Sequence, residues 1–311
     1  MCRGASPVAR HCPPLQPAHA YICRPYIINM ITITDLIHTR LAGIYTPEEL
    51  RTLTHWIIEH VSGLTLAQQL AGKSMQLEEG QKAAITRIIS RLEQHEPIQY
   101  VLGECSFHGL TFRVDRSVLI PRPETGELVE RIVSNHRSAV GLRVLDIGTG
   151  SGCIAITLAR KLHKPHVTAL DISAEAIATA RGNAHRNDAE VHFICADLFA
   201  PDLSLPAPFD LIVSNPPYVR TSEQASMAPN VLRYEPHTAL FVPDKDPLRF
   251  YRRTATCAQR WLAPGGRIYF EINAALATET VALLRTEGFA DVHTWRDMEG
   301  KERFIEVISK K

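Results

Sequence analysis

Residues 215–218 read Asn-Pro-Pro-Tyr and close the apolar run Phe209-Asp-Leu-Ile-Val-Ser214. The run is short and apolar enough to be a buried strand, so the tetrapeptide falls at a strand end. There an Asn side-chain oxygen and a proline-stiffened carbonyl can accept both hydrogens of one planar –NH2 group. The proline that follows biases Asn215 toward extended backbone. Pro216 and Pro217 remove further backbone freedom. The pattern suits the presentation of an amide or an exocyclic amine for chemistry. The bland reading is a turn with Tyr218 packed on it.

A glycine loop lies about 65 residues upstream, in Val144-Leu-Asp146-Ile-Gly148-Thr149-Gly150-Ser151-Gly152. Glycine lets a backbone turn with positive φ and lets a ligand approach closely. Nicotinamide enzymes use a wider spacing, with a pyrophosphate on the helix N-terminus. Here the spacing is tighter and the acid Asp146 ends the strand. A carboxylate at that point repels a pyrophosphate but can accept a hydrogen bond from an ammonium group. Asp171 ends the next strand, where a ribose diol would be gripped. Ala196-Asp197-Leu198 ends the third, where an adenine ring could be bracketed. Asp197 serves equally well as a plain turn cap. An amine anchor, a ribose acid and an adenine site without a phosphate cradle fit S-adenosylmethionine. Simple strand-to-helix packing and a nicotinamide dinucleotide are the competing readings.

The elements that must hold these groups follow from pattern. With 311 residues the chain suggests about two domains. Its hydrophobic content of 45% and charged content of 22% are those of an ordinary globular protein. A net charge of +1 gives no support to a role in gripping a long nucleic acid. The seven cysteines are odd in number and irregularly spaced, so they read as reduced thiols in a cytoplasmic protein. No apolar run approaches the ~20 residues that span a bilayer, so no membrane partner is expected. No metal is expected either, because the histidines show no ligand spacing. Residues 1–29 carry five prolines and three cysteines with no period. They read as a disordered extension, or as an upstream start that is not used.

Residues 30–103 read as helical. Thr46-Pro47-Glu48-Glu49 is a capping box with proline at the first helical position. Leu50, Leu53, Ile57 and Val61 follow at helical spacing, and Gly63 is a stop. A second helix carries Ile85, Ile88, Ile89 and Leu92 and ends before Pro97. Residues 104–125 read as a β-hairpin linker, with turn residues at His108-Gly109 and Asp115-Arg116 among apolar positions up to Ile120. A helix is expected to start at about Glu124, and from about residue 140 strands and helices alternate. Strands are expected over 143–147, 166–171, 191–195, 211–214, 267–272, 292–296 and 304–308. Helices are expected over 152–162, 174–183, 248–261 and 277–287. Alternation with short links implies an α/β fold with a mostly parallel, doubly wound sheet. The last two strands are close enough to pair antiparallel.

Taken together the motifs resemble the HemK/PrmC family of bacterial release-factor glutamine methyltransferases, from about Met30 to the C-terminus. The shared stretches are Phe107-His108-Gly109, the segment Leu119-Ile-Pro121-Arg122-Pro123-Glu124-Thr125, the glycine loop through Ala155, and Asn215-Pro-Pro-Tyr218. Tyr234-Glu235-Pro236, Ala239-Leu240, Asp246-Pro-Leu and Asp297-Met-Glu-Gly300 complete them. The resemblance implies a class I, Rossmann-like methyltransferase domain of seven strands over 126–311. It also implies a five-helix N-terminal bundle for substrate recognition and a hairpin linker. It implies methyl transfer from S-adenosylmethionine to the glutamine of the Gly-Gly-Gln loop of class 1 release factors, in translation termination, leaving S-adenosylhomocysteine. Residues 148–152 (with Thr149 and Ser151), Asp146, Asp171, Asp197, Leu198 and Asn215 fall to the cofactor. Asn215, Pro216, Pro217 and Tyr218 fall to the substrate amide. The catalytic roles go to Asn215 and Pro216 as acceptors and to Tyr218 as the residue packing on the amide.

Three positions depart from the family's usual pattern. Gly126 stands where a Glu is usual, Leu198 where relatives often carry Trp, and Asn273 where Glu-x-Gly has glycine. The motifs would also suit a glutamine on a ribosomal protein, or an amino group on a flipped nucleobase in DNA or RNA. The weak net charge counts against stable nucleic-acid binding. Arg122 and Glu124 read equally as loop-to-domain ion pairing and as substrate contacts.

Overall fold

The computed structural model describes residues 30–71 and 78–310. The expected extension at 1–29 lies outside the described residues. Five helices come first: α1 (Met30–Leu41), α2 (Pro47–Ser62), α3 (Leu66–Leu70), α4 (Glu79–Leu92) and α5 (Ile98–Leu102). The start of α2 is the expected capping box. The Thr46 hydroxyl accepts from the Glu49 N–H, and the Glu49 carboxylate accepts from the Thr46 N–H. Gly63 ends the helix at φ 70°. Leu50, Leu53 and Ile57 of α2 meet Ile85, Ile88, Ile89 and Leu92 of α4 in one apolar core, with Val61 packed at its margin.

A hairpin follows, of β1 (Glu104–Phe107) and β2 (Leu110–Arg113), turning at His108-Gly109. The hairpin is shorter than expected. Val114, Val118 and Ile120 are apolar because they are buried against Tyr100, Ala176 and Tyr234, not because they form a strand. The segment 114–122 then leads into α6 (Pro123–Asn135).

From there the chain alternates: β3 (Arg143–Ile147), α7 (Cys153–Lys161), β4 (His166–Asp171), α8 (Ala174–Arg186), β5 (His192–Cys195) and β6 (Phe209–Ser214). Next come the short β7 (Val219–Arg220), α9 (Pro229–Tyr234) and β8 (Phe241–Val242). The chain ends with α10 (Arg249–Trp261), β9 (Leu262–Glu271), α11 (Ala277–Thr286), β10 (Asp291–Arg296) and β11 (Glu302–Ile308). The sheet order is β10-β11-β9-β6-β3-β4-β5. Strands β9, β6, β3, β4 and β5 are mutually parallel, and β11 is antiparallel to both its neighbours. Side chains alternate across the sheet. Val144, Val167 and Val213 face α6, α7 and α8, while Leu145, Ile212 and Ile268 face α10 and α11. Such a sheet, covered on both faces, is why its strands read as continuous apolar runs.

The hairpin is fastened to the sheet domain by a buried asparagine. Asn183 of α8 accepts from the Arg113 N–H at 2.6 Å. Its amide nitrogen donates to the carbonyls of Arg113 and Ser151, both at 2.9 Å. One side chain therefore ties β2 to the glycine loop.

The Pro-Arg-Pro-Glu-Thr segment is tied down as well. Arg122 donates to Glu235 at 2.5 Å, and the Glu235 side chain is only 1% exposed. Glu235 also accepts from the Ile120 N–H. The ion-pairing alternative for Arg122 is thus the one seen, and it joins two of the family-like stretches, 121–125 and 234–236. Arg122→Ala leaves the Glu235 charge buried and unpaired. We expect a loss of roughly 3 kcal/mol in urea unfolding. The double variant Arg122→Met/Glu235→Leu recovers part of it. An Arg122→Ala protein as stable as wild type would show the pair to be idle.

Candidate active site

Sheet register builds the site. Ile147 of β3 is level with Leu170 of β4 and Ser214 of β6, and Ser214 is level with Phe270 of β9. The next residues along those strands are Gly148, Asp171, Asn215 and Glu271. All four therefore share one level of the sheet's carboxyl edge, where ligands of open α/β sheets bind. The Ser214 hydroxyl donates to the Ile147 carbonyl at 2.8 Å and clamps the two central strands together.

The glycine loop turns between β3 and α7. Gly148 and Gly150 have φ of 77° and 53°, and among the described residues no atom beyond their chain neighbours lies within 4 Å of where a Cβ would sit. The loop backbone is thus bare on its open side. Gly152, at φ 81°, differs: a Cβ there would lie 2.8 Å from Ile156 and 3.2 Å from Ala180. Its requirement is helix packing, not ligand approach.

Asp146 is fully enclosed. Its Oδ2 accepts the Thr149 hydroxyl at 2.7 Å and the Ala155 N–H at 3.2 Å, so it shapes the loop from beneath. Its Oδ1 is buried without a partner among the described residues. An ammonium group could meet this carboxylate only at Oδ1, and the expectation of an open anchor is narrowed accordingly. Burial pushes the Asp146 carboxyl up to about 7, against the Thr149 and Ala155 bonds. The ordinary value is 3.8. Between those two values the folded chain holds a proton that the unfolded chain has released. Stability contributed by Asp146 therefore falls as pH rises from about 4 to about 7, and is flat above. We expect the unfolding free-energy difference between wild type and Asp146→Asn to fall across that window. A difference independent of pH would contradict the assignment.

Asp171 holds the loop from the side. Its Oδ2 accepts the Gly150 N–H at 2.8 Å and its Oδ1 accepts the Ser173 N–H at 2.9 Å. Asp197 is exposed and accepts the Phe199 N–H, which is the turn-cap role weighed for it. Leu198 is turned into the core with Phe209 and Tyr251, 7% exposed. Among the described residues no Lys, Arg or His pairs with Asp146, Asp171 or Asp197. A bare loop flanked by Asp171, with the exposed Asp197 two residues beyond β5 and no counter-cation, fits a ligand that carries sulfonium and ammonium charges and opposes a pyrophosphate. The donor set therefore fits S-adenosylmethionine.

Asn215 lies across the sheet edge from that loop. Its Nδ2 donates to the Thr125 hydroxyl at 3.0 Å. Thr125 donates to Glu271 Oε2 at 2.6 Å, and the Tyr218 hydroxyl donates to Glu271 Oε1 at 3.0 Å. Thr125 is delivered by the first turn of α6. Asn273, the departure from Glu-x-Gly, donates to the Tyr218 carbonyl at 3.1 Å and caps the following 3-10 turn. Tyr218 is therefore held at both its hydroxyl and its carbonyl. Burial and the Glu271 charge push its phenol up, so it remains a donor. Burial also pushes the Glu271 carboxyl up, against the Thr125 and Tyr218 bonds and Arg303.

The structure thus brings residues 146–152, Asp171 and 215–218 to one edge. It gives Asp197 and Leu198 capping and core positions beside it. Thr125 and Glu271 were missed as site residues. Thr125 reads only as part of the Pro-Arg-Pro-Glu-Thr segment, and Glu271 only as the glutamate of the Glu-x-Gly stretch that ends here at Asn273. The Gly126 carbonyl accepts from His108 Nε2 at 2.7 Å, which packs α6 on the hairpin.

These features define a class I methyltransferase with S-adenosylmethionine as methyl donor. Family models match on both sides of the hairpin, the PrmC N-terminal domain over residues 36–103 and the methyltransferase small domain over 125–236. The catalytic domain of hMettl16 shares the fold, with a TM-score of 0.50 at 16% identity, over 78% of this chain and 86% of that one. The release factor glutamine methyltransferase of Bacteroides thetaiotaomicron is 45% identical over 276 residues, covering 89% of this chain and 99% of its own. That of Chlorobaculum tepidum is 36% identical over 291 residues, covering 90% and 98%. The chain belongs to the release factor glutamine methyltransferase family.

Proposed function

We propose that this chain methylates the side-chain amide nitrogen of the glutamine in the Gly-Gly-Gln motif of class 1 release factors. One observation carries the reading. Strand register sets the Asn-Pro-Pro-Tyr loop beside the bare glycine loop and Asp171 at one sheet edge. The relatives' names supply the identity of the acceptor protein.

S-adenosylmethionine supplies an electrophilic sulfonium methyl when bound. The chain's task therefore lies on the acceptor side. An amide nitrogen is a poor nucleophile because its lone pair is delocalised into the carbonyl. Asn215 Oδ1 and the Pro216 carbonyl accept its two N–H bonds and so fix its plane. They also stabilise the positive charge that grows on nitrogen as the new bond forms. Positioning of this kind is worth several kcal/mol, up to about 7–11 in the best cases, with electrostatic help added. Tyr218 closes the site, and Pro217 stiffens the backbone beneath it. Residues 148–152 and Asp171 hold the cofactor, with Asp146 shaping their loop. No general base is required, because the nitrogen loses its proton readily once alkylated.

The helical front, residues 30–103, is assigned to recognition, the hairpin segment 104–125 to linking, and residues 126–311 to methyl transfer. A groove of about 1270 Å³ between them reaches Arg122 and Pro123, next to Thr125. That is room for a folded protein segment. No helix among the described residues is long and apolar enough to cross a membrane. We assign the enzyme to the cytoplasm with its acceptor.

The test is transfer of labelled methyl groups to purified release factor. Label should enter wild-type release factor and not one carrying Gln→Ala in Gly-Gly-Gln. It should enter ribosomal subunits far more slowly. Equal labelling of the Gln→Ala protein, or preference for ribosomal subunits, would overturn the acceptor assignment.

A further inference from the structure

An asparagine amide is nearly symmetric in shape and opposite in hydrogen-bond sense at its two ends. The proposed role of Asn215 needs the oxygen toward the acceptor –NH2. A half-turn about the side chain would instead set donors against donors. Neither the strand nor the prolines can choose between the two ends, since both fit the same space. Something outside the motif must choose.

We propose that Thr125 and Glu271 are positioning residues that fix which end of the Asn215 amide faces the acceptor glutamine. The inference rests on the reading of Asn215 as a hydrogen-bond acceptor for the substrate. The bonds form a chain with one permitted direction. Glu271 accepts on both oxygens, from Thr125 on Oε2 and from Tyr218 on Oε1, and among the described residues no acceptor stands ready for a carboxyl proton. A hydroxyl has a single hydrogen. Thr125 gives it to Glu271 and can only accept from Asn215. Asn215 must therefore turn Nδ2 to Thr125, as seen at 3.0 Å, which leaves Oδ1 to accept elsewhere. Thr125 is 2% exposed and Glu271 1%, so little water competes for these bonds. Buried, fully matched chains of this kind hold one arrangement because any reversal strands a polar group. The Pro-Arg-Pro-Glu-Thr segment thereby gains a function. Arg122 anchors it on Glu235, Pro123 starts α6, and Thr125 arrives under Asn215.

Thr125→Val keeps the shape and removes the hydroxyl, and Thr125→Ser restores the hydroxyl alone. At saturating folded release factor, Thr125→Val should lower kcat ~10- to 100-fold. Its KM for release factor and its cofactor affinity by calorimetry should stay within about threefold, a factor worth under 1 kcal/mol. Thr125→Ser should recover most of the rate. A Thr125→Val enzyme with wild-type kcat would overturn the proposal, as would Thr125→Ser falling as far as Thr125→Val. A readout on the wild-type chain needs neither turnover nor a folded variant. The Asn215 side-chain NH2 should exchange slowly with solvent by NMR, and fast exchange would equally overturn it. Asn215→Ala measured alongside separates the layers. If Asn215→Ala is inactive while Thr125→Val is normal, only the positioning role fails. If Asn215→Ala is active, the underlying reading of Asn215 fails.

Discussion

Asn215→Ala should bind S-adenosylmethionine within about threefold of wild type, under 1 kcal/mol, and lose methyl transfer by roughly 10²- to 10³-fold. The magnitude follows from what is removed. Asn215 supplies one of two acceptors on the reacting nitrogen, in a site where charge develops at that atom. Loss of one preorganised group at a developing charge has that typical size. The cofactor should be spared because its loop is held by other bonds. Thr149 and Ala155 fasten it to Asp146, and Gly150 to Asp171. The fold should be spared too, since among the described residues the only side-chain bond lost is the one from Nδ2 to Thr125. Single-turnover kinetics with bound cofactor and excess release factor read the chemical step directly. A rate near wild type would end the double-acceptor mechanism, whatever the steady-state constants show.

Asp171→Ala should have the opposite profile, with cofactor affinity falling about 100-fold. Hydrogen bonds to a charged group are worth about 1.5–3 kcal/mol, and 2.8 kcal/mol is that factor of 100. Two losses combine. The carboxylate that would grip the ribose diol is gone, and the Gly150 and Ser173 N–H groups lose their acceptor. Asp171→Asn separates them, because an amide oxygen can still accept from one N–H while the charge is absent. Its affinity should lie between wild type and Asp171→Ala. At saturating cofactor both variants should turn over faster than Asn215→Ala. Calorimetry showing unchanged affinity for Asp171→Ala would remove Asp171 from the cofactor site.

Much of this was legible in the sequence because the signals were local. Helical spacing at Leu50, Leu53 and Ile57 found α2, and the Thr46 box found its start. Strands β3 and β4 were bounded to the residue, because Gly141 and Gly148 bracket the first apolar run and Pro165 and Asp171 the second. Others were less legible. β9 begins at Leu262, five residues before the expected 267, because Gly265 and Gly266 masked its first half. β7 and β8 are two residues each and exist only because they pair with each other. The stretch up to Ile120 looked like strand because burial and strand formation select the same residue types.

By itself the sequence determined the order of elements, the parallel sheet, the glycine loop and the Asn-Pro-Pro-Tyr turn. Each depends on neighbours a few residues apart, where propensity, periodicity and turn chemistry act. Only the tertiary structure decided that Thr125 meets Asn215 across 90 residues and Glu271 across 146. It alone decided that Arg122 meets Glu235, and that Asp146 lies beneath its loop instead of open to it. Such contacts join residues whose separation carries no period. A hydrogen bond is fixed by distance and direction in space, and those exist only once strand register has been set.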